Sequence, residues 1–309
     1  MEFRHISVLK DESISGLNIR PEGVYVDCTL GGGGHSLEIA RRLTTGRLIC
    51  IDKDNDALTS ARVRLADYLD KITFVKGNFA DIDTILEGLD ISAVDGILAD
   101  LGVSSYQLDT ADRGFSFRQD ARLDMRMDQT QSLDAEYVVN NYSEQELSKI
   151  LYTYGEERNA RQIARKIVQQ RAKKPITTTF ELRDIVISSY PPKFQNKASL
   201  PNKAFQAIRI EVNNELNDLP NAVEKMLSKL KKYGRLCIIT FHPLEDRVVK
   251  SIFKLHSTDC ICPPRIPKCI CNHHADIRLI TSHPIVPTDE ELEQNSRSAS
   301  AKLRIAEKL

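Results

Sequence analysis

Strand-like and helix-like stretches alternate along the first third of the chain. Residues 24–26, 47–52, 72–78 and 94–101 are short apolar runs of strand character, whereas residues 36–43, 55–67 and 82–88 read as helices. This βαβ alternation predicts an α/β fold, a parallel sheet with helices on both faces. From about residue 107 to 215 the alternation stops, and only loops and helical periodicity remain. Residues 236–241 then restore a buried strand, 244–255 read as a helix, and 276–280 and 301–306 supply two last strands. The expected organisation is one α/β domain in two parts, residues 1–106 and 216–309, interrupted by a helical insertion at 107–215.

Within the insertion, RNARQIARKIVQQRAKK (158–174) places Ala160, Ile163, Ala164 and Ile167 at helical spacing, while Arg158, Arg161, Arg165 and Lys166 occupy other faces. One side therefore packs and another is strongly basic, as either a solvated face or a phosphate-binding one. Thr178 to Glu181 reads as a capping box that opens the next helix.

The first strand is followed by four consecutive glycines, in DCTLGGGGHS at 27–36. Glycine there permits positive φ and removes the Cβ atoms that would hold a ligand away from the backbone, next to a helix N-terminus. The stretch reads as a cofactor seat. The dinucleotide fingerprint G-x-G-x-x-G fails in either register, because its third glycine falls on Ser36 or Leu37. Asp52, at the end of the second strand, suits ribose hydroxyls in either cofactor class. Asp27, just before the glycines, disfavours a pyrophosphate and is compatible with the cationic methionine end of S-adenosylmethionine. Asn78 and Phe79 are placed to lie beside an adenine, unless Phe79 is simply core. Asp100 closes the fourth strand, at the sheet edge where ligands of open α/β sheets bind.

Composition narrows the function classes. The 43 basic and 43 acidic residues cancel, so no global field draws the chain to nucleic acid or membrane, and any RNA contact must be a local patch. The N-terminus lacks the apolar core of a signal peptide, and no run approaches the roughly 20 apolar residues of a membrane span, so a soluble, cytoplasmic protein with no membrane partner is expected. Cys28, Cys50 and Cys237 lie in apolar strands as small hydrophobes.

Longer motifs follow in order: His5 with Val8-Leu9, DCTLGGGGH at 27–35, IDKD at 51–54, DGILADLGVSSYQLD at 95–109, and RGFSF at 113–117. LDMRMD at 123–128, TYGEER at 153–158, FQAIRI at 205–210 and LEDR at 244–247 continue the series. Taken together, the chain resembles the bacterial small-subunit ribosomal RNA cytosine-N4 methyltransferases, the MraW family. The resemblance implies a seven-stranded, Rossmann-like S-adenosylmethionine-dependent methyltransferase sheet with an inserted helical, substrate-recognising domain. It also implies methylation of one cytidine in the decoding region, with small-subunit ribosomal RNA or the small subunit as partner. It places cofactor contacts on Gly33, Gly34, His35, Asp52, Phe79, Asp100 and Gln107. The chain departs from the family pattern at Pro243, where serine is usual, at Asp120-Ala121-Arg122, and at Ser296 and Ala299.

For that reaction the exocyclic amine of cytosine is a poor nucleophile, so the protein must position it and accept its hydrogens as positive charge develops. Asp100 is the expected acceptor or a holder of the cofactor's methionine end. Ser104, with Gly102 and Ser105, would wall a base flipped from its stack. His242 is a second proton acceptor, or a histidine that only orders its loop. Phe115 and Phe117 would stack on a base, with Arg113, Arg118, Arg122 and Arg126 meeting phosphates, or else anchor the insertion.

Cys260, Cys262, Cys269 and Cys271, followed by His273 and His274, offer enough soft ligands for a zinc site, although C-x-C is tighter than the usual C-x₂-C. The alternative is reduced thiols in a loop stiffened by Pro263, Pro264 and Pro267. Two other function classes remain at this point: a nucleotide-dependent oxidoreductase, and a non-catalytic RNA-binding ribosome-assembly protein. The sequence is compatible with a homodimer.

Overall fold

The computed structural model describes residues 7–263 and 269–309; His5, Pro264 and Pro267 lie outside the described residues. Seven strands form one sheet: β1 (Val24–Asp27), β2 (Arg47–Asp52), β3 (Ile72–Lys76), β4 (Val94–Asp100), β5 (Leu230–Thr240), β6 (Ile277–Leu279) and β7 (Lys302–Lys308). Their order is β3-β2-β1-β4-β5-β7-β6. Strands β1 to β5 are parallel, and β7 runs antiparallel to both of its neighbours. The chain steps outward from β1 to β3, then returns to lay β4 on the other side of β1. That reversal is a topological switch point, where open α/β sheets leave a crevice beyond the carboxyl ends of the strands.

Both faces of the sheet are covered, which is why its strands read as continuous apolar runs. In β2, Leu48 and Cys50 enter one core while Ile49 and Ile51 enter the other, and in β5 Cys237 and Ile239 alternate in the same way with Leu236 and Ile238. Cys28, Cys50 and Cys237 are buried, unpaired thiols, as expected of small hydrophobes. Tyr25 is buried against Gly96, where a Cβ would come within 2.9 Å of its ring. Strand β5 begins well before residue 236. Its first half carries Lys231, Lys232 and Tyr233, and its pairing with β4 slips between Val94 and Gly96, so no apolar pattern marks it.

The chain divides into two compact units, Met1–Gly102 with Leu216–Leu309, and Val103–Glu215. The second therefore starts at Val103 rather than at 107. It holds the helices Ala135–Asn141, Glu144–Gly155, Ala160–Arg171, Thr179–Ser188 and Asn202–Asn213 around a core of its own. Ser143 with Glu146, and Thr178 with Glu181, form reciprocal capping boxes that satisfy the first N–H groups of two of these helices.

LDMRMD is a structural element of this second unit. Leu123, Met125 and Met127 are buried in its core. Between them Arg126 makes a two-pronged contact with Asp124, Nε to Oδ1 at 2.8 Å and Nη2 to Oδ2 at 2.7 Å. Met125 has a φ of 61°, and Gly114, at 69°, packs so closely that a Cβ would lie 2.5 Å from the Arg122 carbonyl. Asn213 closes the loop by donating to the Met125 carbonyl and accepting from the Met127 N–H, both at 2.8 Å. Among the described residues no helix is long and apolar enough to cross a membrane.

Asn213→Ala leaves two buried backbone groups without partners, and is expected to destabilise the second unit by about 2 to 3 kcal/mol. Urea denaturation followed by circular dichroism reads this directly. A midpoint equal to wild type would show that the loop is held by its apolar residues alone.

Candidate active site

The glycine turn is built by hydrogen bonds between strand ends. After β1 the chain turns so that the Leu30 N–H reaches the Ile51 carbonyl at 3.1 Å and the Gly33 N–H reaches the Leu30 carbonyl at 2.7 Å. Gly31 and Gly33 adopt φ of 47° and 73°, which glycine takes without strain. Gly34, the first residue of the helix Gly34–Arg42, is glycine for a different reason: a Cβ there would sit 1.9 Å from Ser7 Oγ. Three of the four glycines thus divide between backbone conformation and close packing.

Three carboxylates stand at the ends of β1, β2 and β4. Asp52 ties its strand to the turn, with Oδ2 accepting from the Gly31 N–H at 2.8 Å and Oδ1 from the Asp54 N–H at 2.9 Å. Each oxygen keeps a lone pair for a further donor. Burial pushes this carboxyl above its ordinary range against those hydrogen bonds. Asp27 is almost fully buried, accepting from Ser36 Oγ at 2.6 Å and from the Thr29 N–H at 3.1 Å. Its pKa rises to about 6 because burial outweighs those two bonds, with the Asp52 charge adding to the rise. Asp27 is therefore a strut of the turn rather than an open contact.

Asp100 is the carboxylate left open. Its backbone N–H donates to Thr29 Oγ1 at 2.6 Å, its Oδ2 lies 3.7 Å from His35 Nδ1, and its Oδ1 is buried without a hydrogen-bond partner. Burial first, and then the charges of Asp27 and Glu245, hold it well above the usual carboxylate range. His35 is buried and donates from Nε2 to the Val8 carbonyl at 3.0 Å, which points Nδ1 toward Asp100. Lys53, next to Asp52 in the chain, offsets part of that carboxylate's shift. Three acids gathered at one edge of the sheet suit a cationic ligand.

His242 lies at the end of β5 as the N-cap of the helix Pro243–His256. Its Nδ1 accepts from the Glu245 N–H at 3.4 Å, so its ring proton sits on Nε2. That Nε2 lies 3.1 Å from Glu245 Oε1 but out of hydrogen-bond alignment. The Glu245 carboxylate in turn accepts from the N–H groups of Phe241 at 2.8 Å and His242 at 3.3 Å. This geometry supports the loop-ordering reading of His242. Pro243 occupies the first helical position, which lacks an intrahelical N–H partner in any case, so proline fits it.

Asn78 and Phe79 follow β3. The Asn78 side chain accepts from the Ala80 N–H at 3.1 Å and donates to Asp218 at 3.2 Å, and Phe79 is half-buried against the core. Ser104 and Gln107 belong to the second unit, where they cap the helix Ser105–Asp109 reciprocally: Ser104 Oγ accepts the Gln107 N–H at 3.2 Å and Gln107 Oε1 accepts the Ser104 N–H at 3.0 Å.

The structure favours the anchoring reading of the two phenylalanines. Phe115 is buried in the second unit's core, and the partly buried Phe117 packs edge-on to Phe205 at 5.1 Å. Arg113 donates to the carbonyls of Arg126 and Met127, and Arg122 pairs with Asp134 at 2.6 Å and Glu136 at 3.3 Å. Only Arg118 of this group is exposed without such a contact. On the basic helix Ala160–Arg171, Lys166 donates to the Ser188 carbonyl and Arg171 to the Val139 carbonyl, each at the end of another helix. Arg158, Arg161 and Arg165 remain exposed. Charge alone could not separate these two groups in the sequence, because capping cations and exposed ones share one helix.

Residues 2–309 match the MraW methylase family. The ribosomal RNA small subunit methyltransferase H of Clostridium botulinum strain 657 is 55% identical over 310 residues, covering all of both chains. That of Finegoldia magna is 52% identical over 311 residues, again covering all of both. Among solved structures, an rRNA methylase from Streptococcus thermophilus is 14% identical, covers 100% of this chain and 99% of its own, and has a TM-score of 0.42.

Asp27 binds its proton more tightly when folded than when unfolded, so the stability it contributes is full below the ordinary carboxylate pKa of about 4. That contribution is lost as the pH rises through about 6. Asp27→Asn is therefore expected to gain on wild type between pH 4 and 7, by on the order of 3 kcal/mol. Unfolding free energies of both proteins across this range provide the measurement. A difference that does not vary with pH would show Asp27 to titrate as an ordinary carboxylate.

Proposed function

The chain belongs to the MraW methylase family, and from that premise we propose that it methylates N4 of a cytidine in the decoding region of small-subunit ribosomal RNA, with S-adenosylmethionine as donor. Membership of a methylase family sets aside both the oxidoreductase and the non-catalytic reading. A substrate within the small ribosomal subunit makes the cytoplasm its place of action.

The observation that carries the reading is Asp100: a carboxylate at the switch point, one oxygen buried without a hydrogen-bond partner, with the further acids Asp27 and Asp52 at the neighbouring strand ends. These residues fit a cationic cofactor. When bound, S-adenosylmethionine supplies a methyl group already activated on sulfur. The glycine turn from Gly31 to Gly34, with Gly33 and Gly34 at the helix start and His35 behind them, would seat it, and the free lone pairs of Asp52 would accept its ribose hydroxyls. Phe79 and Gln107 are assigned to the same seat from the family resemblance.

A positive charge beside Asp100 lowers the pKa that burial has raised and so restores its carboxylate. In that form Asp100 can accept a hydrogen from N4 as the amine gains positive charge, while the low dielectric of the site strengthens the interaction. Ser104 accepts a backbone hydrogen bond and keeps its own proton to donate, which suits the wall of a base pocket. His242 is assigned to ordering the loop after β5. The exposed Arg118, Arg158 and Arg161 of the helical unit are cations available to ribosomal RNA phosphates, whereas Arg165 shares its charge with Glu144 at 3.8 Å.

The test is methyl transfer from labelled S-adenosylmethionine to small subunits lacking the modification, with digested nucleosides identified by mass. Label on a single N4-methylcytidine is expected, and cofactor binding without transfer to RNA or subunits would sink the proposal. Asp100→Asn should slow transfer at saturating cofactor by about a hundredfold or more. Asp52→Ala should weaken cofactor binding by roughly 10- to 100-fold, the worth of one or two charge-assisted hydrogen bonds. An Asp100→Asn enzyme that transfers at the wild-type rate removes Asp100 from the reaction.

His242 separates from these by a conservative pair. His242→Asn keeps a capping acceptor and should retain both stability and transfer, whereas His242→Ala should lose about 1 kcal/mol of stability. Loss of transfer in a stable His242→Asn protein would return the imidazole to the chemistry.

A further inference from the structure

The segment between the helix Pro243–His256 and β6 plays no part in the site above. It is clamped at its base, where His256 meets Glu224 and Asp276 at 2.7 Å each and the Asp276 N–H donates to the His256 carbonyl at 3.0 Å. Beyond that clamp none of the described residues between Ser257 and Ala275 is buried, and Ile261 and Ile270 are 51% and 72% exposed. Apolar burial therefore does not hold these described residues.

Four sulfurs meet there instead. The Sγ atoms of Cys260, Cys262, Cys269 and Cys271 all lie within 4.8 Å of one another. Cys269 lies 3.6 Å from Cys260, 3.9 Å from Cys262 and 3.5 Å from Cys271, and Cys271 is 3.9 Å from Cys260. Four thiolates bound tetrahedrally at a Zn–S distance of about 2.3 Å are about 3.8 Å apart. The observed separations cluster around that value. Disulfides would join the sulfurs in two pairs, whereas Cys269 is nearly equidistant from three others. The Ile270 N–H also points at Cys262 Sγ, at 3.4 Å, a donor of the kind that supports metal-bound thiolates from outside the ligand shell. His273 is not a competing ligand, since its Nε2 meets the Leu255 carbonyl at 3.0 Å.

We propose that Cys260, Cys262, Cys269 and Cys271 form a closed tetrathiolate zinc site that staples the tip of this loop. Each cysteine gives up its proton to become a ligand, and the metal supplies the stability that a coreless loop cannot obtain by burial. Four protein ligands leave no position for water or substrate, so the role is structural. The short C-x-C spacing is accommodated because each pair supplies two sulfurs and all four lie within 4.8 Å of one another.

The test uses the full-length chain, prepared under reducing conditions without a metal-affinity column. Elemental analysis is expected to find about one zinc per chain, and cobalt exchanged into the site should give the visible bands of a tetrahedral thiolate complex. Four thiols should be slow toward a thiol reagent until a strong chelator releases the metal. Cys260→Ser with Cys269→Ser should lose the zinc while the α/β core melts cooperatively as in wild type, because neither side chain is buried. Protein that carries no zinc, carries iron in its place, or yields two disulfides on mapping overturns the proposal, as does zinc that persists in the double variant.

Discussion

Burying acidic side chains is the constraint around which the α/β unit is arranged. Asp27, Asp52 and Asp100 close three strands at one edge of the sheet, and each is pushed above its ordinary pKa, foremost by burial. The chain limits that penalty in two different ways. Asp27 and Asp52 receive donors from Ser36, Thr29, Gly31 and Asp54, so their oxygens are satisfied inside the turn. Asp100 is left with an unsatisfied oxygen, and the free energy that would stabilise it remains available to a ligand. A cation bound there is stabilised by the same charges that destabilise the empty fold, and its binding should raise stability by mass action.

The glycine turn follows from this constraint. For Asp52 to accept from the Gly31 N–H, the backbone after β1 must turn back toward β2 with positive φ, and Gly31 and Gly33 supply it. Gly34 then has to admit Ser7, so the N-terminal segment packs on the same turn. His35, held by the Val8 carbonyl, brings an imidazole to 3.7 Å from Asp100. Gly31, Gly33, Gly34 and His35 therefore answer to three requirements, and the run of identical letters conceals that division.

The sheet was legible because its strands are buried on both faces. The inner stretches of β1, β2 and β4 are mostly apolar, and the expected limits of these strands fall within a residue or so of the observed ones. The first half of β5 was not legible, since Lys231, Lys232 and Tyr233 lie on a bulged, exposed stretch where pairing rather than burial defines the strand. The acidic strand ends could be read from position alone, because an aspartate that closes an apolar run must reach the sheet edge. What position could not reveal is which aspartate is satisfied: that depends on Ser36 and Thr29, whose contacts with Asp27 arise only when the turn closes. The arginines of RGFSF and LDMRMD misled for the same reason. Most of their charge is answered by carbonyls and carboxylates within the second unit.

LDMRMD shows how a specific motif can serve the fold of the second unit. A loop with Met125 in a left-handed conformation, Gly114 pressed on the Arg122 carbonyl and Asn213 bridging two backbone groups admits very few other residues. Dense mutual constraint makes a motif specific. The turn and the strand-end acids, by contrast, are short and chemically ordinary, since a cationic ligand demands only bare backbone and well-placed carboxylates. Specificity of pattern thus measures how tightly residues constrain one another, and the groups that face a ligand are held by fewer neighbours because one side of them must stay open.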